Sequence, residues 1–297
     1  MNNAIPRAHP IASMSNLEQT KRADTFRAMH SAAKPLLLAN VWDVASARII
    51  EDAGFPAIAT SSAGMAFALG FADGQKIPAS RMIAAIAVIA EAVNVPVTAD
   101  VEAGYGKTPE SAGETARNVI QAGAVGMNFE DATGDPRQPL ADLPLQLERI
   151  RAIREAAEIL RVPLVLNART DAYFLQVGDP PKRYEETVRR TRAFREAGAD
   201  CVFVPGVRDA QTIGRLVADL QCPVNILAGP GSPSVEELSA LGVKRISLGS
   251  GPMRSALGLL RRLAEELRTR GTYTAMEGAT SYAEMNELMS SNQKSQS

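Results

Sequence analysis

Residues 97–106, Val97-Thr98-Ala99-Asp100-Val101-Glu102-Ala103-Gly104-Tyr105-Gly106, are the stretch of sequence that decides the fold. The apolar residues at its start are typical of a strand buried inside an α/β protein. Two acids and a glycine-rich turn follow directly. If the strand geometry continues, Asp100 and Glu102 point to the same side of the sheet. Two neighbouring carboxylates repel each other, unless a proton or a cation lies between them.

The next two apolar runs also end in charged residues. Residues 125–129 are followed by Glu130 and Asp131, and residues 163–168 are followed by Arg169. Because the carboxyl ends of parallel strands share one edge, these side chains are expected to meet there. The arrangement favours a divalent metal that holds an anionic substrate. The acids could instead cap helices or form turns, and Arg169 could simply form a structural ion pair with them.

The composition is that of an ordinary globular protein. The chain has 297 residues, 45% hydrophobic and 22% charged, with a net charge of −1. This balance gives no electrostatic indication of nucleic-acid or membrane binding, and no apolar run approaches the roughly 20 residues of a membrane span. Residues 1–15 lack the hydrophobic segment of a secretory signal, which favours a cytoplasmic protein. We expect disorder in 1–15 and 290–297, with a single domain over 16–289.

Cysteine and histidine are scarce, and this restricts the possible chemistry. The two cysteines, Cys201 and Cys222, lie in or beside predicted strands and are typical of small buried residues in a reducing compartment. His9 and His30 are the two histidines, and neither is expected to be functional. Histidine-dependent triads and histidine-ligated zinc are therefore excluded.

Short apolar runs alternate with amphipathic segments along the chain, in about eight strand–helix units. The strands are predicted at 36–39, 57–61, 95–100, 125–129, 163–168, 201–204, 224–227 and 245–248. The helices are predicted at 16–33, 43–53, 78–93, 109–122, 143–160, 184–197, 209–220, 235–241, 252–268 and 282–289. This pattern predicts an α/β fold, a (β/α)8 TIM barrel with an N-terminal helix. A dinucleotide-binding fold is disfavoured because no glycine follows the first strand, in residues 39–43.

Loops at the carboxyl ends of the predicted strands add further candidates. A glycine-rich loop is expected at 63–74, and it contains Asp73. Asp73 could bind at the site or simply form a turn. Glycines and serines at 229–232 and 249–251 are similar to the phosphate site of some barrels, although such loops are also common without that function.

Taken together, these segments resemble the isocitrate lyase/phosphoenolpyruvate mutase superfamily over nearly all of residues 16–289. The matching segments are 40–43, 61–73, 99–106, 123–131, 167–172, 198–200 and 241–243. The resemblance implies a Mg²⁺-dependent barrel, with Mn²⁺ as a possible substitute. In such a barrel, carboxylates at the positions of Asp100, Glu102 and Glu130 hold the metal, some of them through water.

The resemblance also assigns roles around that metal. The carboxylate of a small 2-oxo or 2-hydroxy acid would be bound by the metal and by four residues: Ser61, Ser62, Ala63 and Arg169. It also implies that Asp73 lies beside the metal and that Asn225 faces the substrate. Together with Arg169, Asp73 and Tyr105 are the catalytic candidates; Lys107 and Arg137 are further candidates for the general acid. The resemblance implies a homotetramer in which the C-terminal helices, residues 252–289, swap between subunits.

The sequence departs from the superfamily pattern at three places. Residues 130–142 contain no cysteine, lysine or histidine, whereas the lyases carry a cysteine loop there. Gly206 stands where those lyases have a glutamate, and the asparagine-rich gating loop of the mutase is absent. We therefore predict a lyase that cleaves a C–C bond in an oxaloacetate- or 2-methylisocitrate-like acid through a metal-stabilised enolate. A P–C bond enzyme of the phosphonopyruvate hydrolase or phosphoenolpyruvate mutase type, and a non-catalytic metabolite-binding member, are the alternatives.

Overall fold

Parallel strands form the centre of the molecule, as the computed structural model of residues 15–290 shows. The strands are β1 (Leu36–Leu38), β2 (Asn40–Val41), β3 (Ile58–Thr60), β4 (Val97–Asp100), β5 (Gly126–Glu130), β6 (Val165–Arg169), β7 (Cys201–Phe203), β8 (Val224–Leu227) and β9 (Arg245–Ser247). Their order is β1-β9-β8-β7-β6-β5-β4-β3-β2. Only Ala39 separates β1 from β2, so the chain joins the two edges of the sheet. The predicted TIM-barrel fold is confirmed.

Helices connect the strands and surround the sheet. They are α1 (Asn16–Met29), α2 (Val44–Asp52), α3 (Ser62–Ala68), α4 (Ala79–Ala92), α5 (Pro109–Gln121), α6 (Leu143–Leu160), α7 (Pro180–Glu196), α8 (Ala210–Leu220), α9 (Val235–Ala240), α10 (Gly251–Arg270) and α11 (Tyr282–Ser290), with a short 3₁₀ turn at Thr274–Met276. Within residues 15–290, no helix is long and apolar enough to cross a membrane.

The helix α1 covers one end of the barrel interior. Phe26 of this helix is fully buried and approaches β5, where a Cβ atom on Gly126 would lie 2.7 Å from the Phe26 ring. A larger residue at position 126 would therefore push the helix away. Burial of the apolar strand residues on both faces of the sheet is what the continuous apolar runs predict.

The first predicted strand, 36–39, is observed as Leu36–Leu38, and a second short strand that was not predicted, Asn40–Val41, follows it. Leu36–Leu38 pairs with β9, whereas Asn40–Val41 pairs with β3 on the other side. Two consecutive strands, of which only the first was predicted, therefore supply the two edges of the sheet. The additional strand allows the barrel to close and gives nine strands where eight were predicted.

The predicted glycine-rich loop at 63–74 is wrong in its first half, because α3 occupies residues 62–68. Ser61 caps this helix by accepting a hydrogen bond from the Gly64 amide at 3.1 Å. The alanines in the segment favour helix, and Gly64 leaves room for Trp42, whose Cβ would lie 3.2 Å from an added methyl group. Small residues here serve helix packing.

Two further helix ends also differ from the prediction. The helix α7 begins at Pro180, four residues before the predicted start at Tyr184, because Asp179 caps it and proline is tolerated in the first turn. The helix α1 ends at Met29, whereas the prediction extended it to Ala33.

The predicted disorder at 1–15 and 290–297 falls outside the described residues, except at its inner limits. Ser15 caps α1 and Ser290 ends α11, so both belong to helices. The helix α11 contacts α2 of the same chain, where Arg48 donates to the Leu288 carbonyl at 3.0 Å. The predicted swap of the C-terminal helices between subunits stays a prediction.

Candidate active site

A cavity of about 460 Å³ opens at the carboxyl ends of the strands. Asp73 and Asp100 provide negative charge in its wall, whereas Arg169, Arg208 and Arg254 provide positive charge. In barrels of this kind the strand carboxyl ends carry the active site. The position and mixed charge of the cavity make it the candidate active site.

Asp100 is the last residue of β4 and is held in place by the first turn of α3. The Ser62 amide and hydroxyl donate to Oδ2 of Asp100 at 3.1 and 2.8 Å. The other carboxylate oxygen, Oδ1, is buried and has no hydrogen-bond partner within the described chain. A buried carboxylate oxygen without a partner is costly, and a cation would relieve that cost.

Glu102 does not continue the strand, as the sequence had suggested. Its φ is +51°, and the backbone turns so that the Gly104 amide donates to the Val101 carbonyl at 2.9 Å. Its carboxylate accepts from the Gln75 amide at 2.7 Å and from the Tyr105 hydroxyl at 3.4 Å. Burial, together with Asp100 and Asp73, raises the pKa of Glu102 to about 7. The two carboxyl groups are therefore still electrostatic neighbours.

Glu130 and Asp171 hold Arg169 from two sides. Arg169 Nη1 lies 2.9 Å from Glu130 Oε2, and its Nη2 lies 2.7 Å from Asp171 Oδ1. The aromatic rings of Phe174 and Phe203 lie 5.5 and 5.6 Å from the guanidinium carbon. Burial raises the pKa of Glu130 well above its usual value, although Arg169 opposes this. Burial lowers the pKa of Arg169, but Glu130 and Asp171 outweigh it and raise that pKa overall.

Carboxyl groups outnumber cations in this region. Five carboxyl groups influence one another or Arg169: Asp73, Asp100, Glu102, Glu130 and Asp171. Burial is the first cause of the raised pKa of Asp73, and Asp100 adds to it. Among residues 15–290, no three His, Cys, Asp or Glu side chains form a ready-made metal cage. The excess of carboxylate at this edge of the barrel is itself compatible with a hard cation that keeps part of its water shell.

The other predicted site residues fall into two groups. Ser61, Ser62 and Ala63 line the cavity, and their role in substrate binding stays a prediction. Asn225 is fully buried, shares hydrogen bonds of 3.2 and 3.3 Å with Ser247, and is not part of the cavity wall that the structure describes. Tyr105 is likewise outside that wall, and its hydroxyl contacts Glu102.

The two further general-acid candidates lie on the surface. Lys107 is exposed. The Arg137 side chain is 91% exposed and pairs with Asp135 at 3.3 Å. Neither contributes to the wall of the cavity that the structure describes.

Sequence reasoning missed several residues that shape the cavity. Asn40 accepts hydrogen bonds from the amides of Leu248 and Gly249, both at 2.8 Å, and so fixes the loop before α10.

Asp131 was counted with the site acids, but it is fully buried and bound by Arg190 at 3.2 Å and Thr170 at 2.8 Å. Its role is structural. The position of Asp171, two residues after Arg169, was the available signal for their pairing.

Comparison with known proteins gives consistent results. The sequence profile of the phosphoenolpyruvate phosphomutase family matches residues 26–268. Phosphoenolpyruvate phosphomutase from Streptomyces hygroscopicus is 31% identical over 251 residues, covering 80% of this chain and 77% of that protein. An oxaloacetate decarboxylase from Ectopseudomonas mendocina is 29% identical over 260 residues, covering 84% of each chain. The crystal structure of a candidate lyase/mutase from Burkholderia cenocepacia J2315 superposes with a TM-score of 0.86 and 39% identity, covering 91% of this chain and 96% of the other.

Proposed function

Because the chain belongs to the isocitrate lyase/phosphoenolpyruvate mutase superfamily, we propose that it is a Mg²⁺-dependent lyase. Its substrate would be a small 2-oxo or 2-hydroxy carboxylate, oxaloacetate-like or 2-methylisocitrate-like, in which a C–C bond is cleaved. The relative that acts on oxaloacetate supports the choice of substrate class. The observation that carries the proposal is the unpartnered Asp100 oxygen, set among crowded carboxyl groups beside Arg169.

The residues present fit a hydrated Mg²⁺ ion, or Mn²⁺ in its place. Asp100 would hold the ion through its free oxygen, with Glu102 and Glu130 acting through water. When bound, the ion supplies positive charge next to the oxygen on which negative charge develops during bond cleavage. Burial and the neighbouring carboxylates raise the pKa values of Glu102 and Glu130, and a cation beside them would oppose that effect.

The protein residues bind and orient the substrate. Arg169 presents a guanidinium that Glu130 and Asp171 hold rigidly, so it can bind the substrate carboxylate without first losing side-chain freedom. Ser61, Ser62 and Ala63 would bind the same carboxylate from their part of the wall. Asp73 lines the cavity, where partial burial raises its pKa, and this suits a group that carries a proton in and out. Tyr105 would act through Glu102, to which its hydroxyl donates.

A release assay tests this proposal. The purified protein is incubated with Mg²⁺ and a panel of oxaloacetate, substituted malates and 2-methylisocitrate, and pyruvate is measured with lactate dehydrogenase. We expect one acid to give pyruvate, with the activity abolished by EDTA and by Asp100→Ala. Asp135→Ala removes an acid from the exposed loop after β5 and is the matched control. No pyruvate from any acid of the panel would refute the pyruvate-releasing C–C cleavage proposed here.

A P–C bond enzyme is the second candidate, and the cationic side of the cavity favours it. Neither Arg208 nor Arg254 forms an ion pair with an acid of the described chain, and both line the cavity together with Gly229 and Gly251. These arginines could bind a second anionic group, either carboxylate or phosphonate. Release of phosphate from phosphonopyruvate, with no pyruvate from the carboxylic acids, would identify this reaction. Tight binding without any product would instead indicate a metabolite-binding protein.

We also propose that the protein is a cytoplasmic homotetramer. Support for assembly comes from α10, where Leu257, Leu260 and Leu267 lie on one side of the helix and are 41%, 57% and 44% exposed. An apolar stripe of this kind is typical of a helix that packs against another subunit.

A further inference from the structure

A layer of polar side chains lies in the barrel interior, next to the cavity, and the reaction as proposed above does not use it. Asn128 of β5 belongs to this layer; it is 7% exposed and lines the cavity. In the sheet register it is the neighbour of Asp100 on β4 and of Asn167 on β6. Its side chain is therefore close to the carboxylate that carries the proposed metal site.

Arg245 of β9 contacts Asn128 from within the barrel. It is completely buried, with Nη2 3.2 Å from Asn128 Oδ1 and Nη1 3.4 Å from His30 Nε2. Burial lowers the pKa of Arg245 to about 10, so the group stays charged at neutral pH. Within residues 15–290, no carboxylate forms an ion pair with it. A buried cation without a carboxylate partner is costly, so the burial of Arg245 depends on the hydrogen bonds that it makes in the interior.

These contacts determine the orientation of the Asn128 amide. A guanidinium has only N–H donors, so the Asn128 atom that faces Arg245 must be the oxygen. Asn167 Nδ2 donates to the same oxygen at 2.8 Å. Two donors therefore occupy Oδ1. The NH₂ group of Asn128 has no partner in the described chain and is not enclosed, so it remains a donor available to the cavity.

We propose that the Asn128 amide donates a hydrogen bond to the substrate and that Arg245 is the positioning residue that fixes this orientation. The ligand is the carboxylate or enolate-type oxygen of a small 2-oxo acid, because only an acceptor can satisfy an NH₂ group. The inference rests on the proposed function, to which it adds a substrate contact. Without Arg245, the amide could rotate by half a turn and present its oxygen, which would repel an anion.

Oxalate binding measured by calorimetry with Mg²⁺ present tests the inference without requiring turnover. Oxalate is a planar dianion that resembles an enolate of a 2-oxo acid. Asn128→Asp keeps an acceptor for Arg245 and Asn167 and creates a buried ion pair, so the fold is retained. It replaces the donor with an anionic oxygen, and we expect the Kd for oxalate to rise about tenfold or more. Asn286→Asp makes the same change on the exposed part of α11 and should leave the Kd unchanged.

Arg245 is tested with a pair of variants. Arg245→Met removes the donors to Asn128 and should weaken oxalate binding, whereas Arg245→Lys keeps a donor and should restore part of the affinity. An unchanged Kd in Asn128→Asp would overturn the proposed contact. A folded Arg245→Met protein with the wild-type Kd would overturn the positioning role; if that variant does not fold, Asn128→Asp and Arg245→Lys decide. Failure of the wild-type protein to bind oxalate would refute the proposed function itself, and the inference with it.

Discussion

His30 is the buried group that we expect to make the protein less stable in mild acid. It is 4% exposed, and its Nδ1 lies 2.9 Å from the Phe26 carbonyl oxygen. The neutral ring can donate from Nδ1 to Phe26 and accept at Nε2 from Arg245. Burial and the adjacent Arg245 lower the pKa of His30 from 6.5 to about 4. Protonation would remove the acceptor and place two cations side by side.

The pKa of His30 in the unfolded chain, 6.5, and in the folded protein, about 4, determine how its protonation changes the free energy of unfolding. Above pH 6.5 the ring is neutral in both the folded and the unfolded chain, and the stabilising contribution is fully present. Below that pH, the unfolded chain binds a proton that the folded protein does not, so the free energy of unfolding falls as the pH falls. The loss from this group reaches about 2 kcal/mol at pH 5 and about 3 kcal/mol below pH 4.

Urea unfolding at several pH values, compared between the wild-type protein and His30→Gln, measures this contribution. Glutamine keeps a donor and an acceptor but does not titrate. The titration of carboxyl groups is common to both proteins and cancels in the difference. We expect the difference in free energy of unfolding to change by about 2 kcal/mol between pH 7.5 and pH 5. Parallel pH profiles for the two proteins would refute the reasoning.

Two further predictions concern the fold and the assembly. Asp131→Ala should lower the free energy of unfolding by about 3 kcal/mol, because it removes the buried carboxylate that accepts from Arg190, Thr170 and the Asp171 amide and leaves Glu186 as the remaining carboxylate on Arg190; thermal unfolding measures this, and a loss under 1 kcal/mol would contradict the buried ion pair. Leu260→Glu on α10 should lower the molecular mass measured by light scattering while the circular dichroism spectrum is unchanged, because it places a charge in the apolar stripe. An unchanged mass in that variant would place the subunit interface elsewhere.

The periodicity of the sequence predicts most of the fold because buried parallel strands appear as short apolar runs between amphipathic segments. Each of the eight predicted strands corresponds to an observed one, and the two-residue β2 is the one strand of the described chain that was not predicted. The helix α3 escaped prediction for a physical reason: its seven residues are mostly small, a composition that serves helix packing here but is equally typical of a loop. Periodicity over such a short segment carries too little information to separate the two.

The acids and Arg169 could be predicted as one site because they follow neighbouring strands, and the carboxyl ends of parallel strands share an edge. The contact between Asn128 and Arg245 could not be predicted from the sequence. They lie within strands, 117 residues apart, and only the closed barrel brings them together. Glu102 shows the same limit on a smaller scale. Its proximity to Asp100 was predicted on the assumption that the strand continues. In the structure the two carboxyl groups are neighbours because the backbone at Glu102 adopts a left-handed turn.

The neutral asparagines beside Arg245 explain how the barrel can place a cation below a site that is already rich in acids. A carboxylate at position 128 or 167 would pair with Arg245, cancel its charge and add to the repulsion among the acids above. An amide accepts the hydrogen bond without cancelling the charge, so the field of Arg245 still reaches Asp100, on which it acts electrostatically. The positive charge is held by the fold and costs no reorganisation when an anion enters. The same amides that make Arg245 tolerable in the interior therefore keep its charge available to the site.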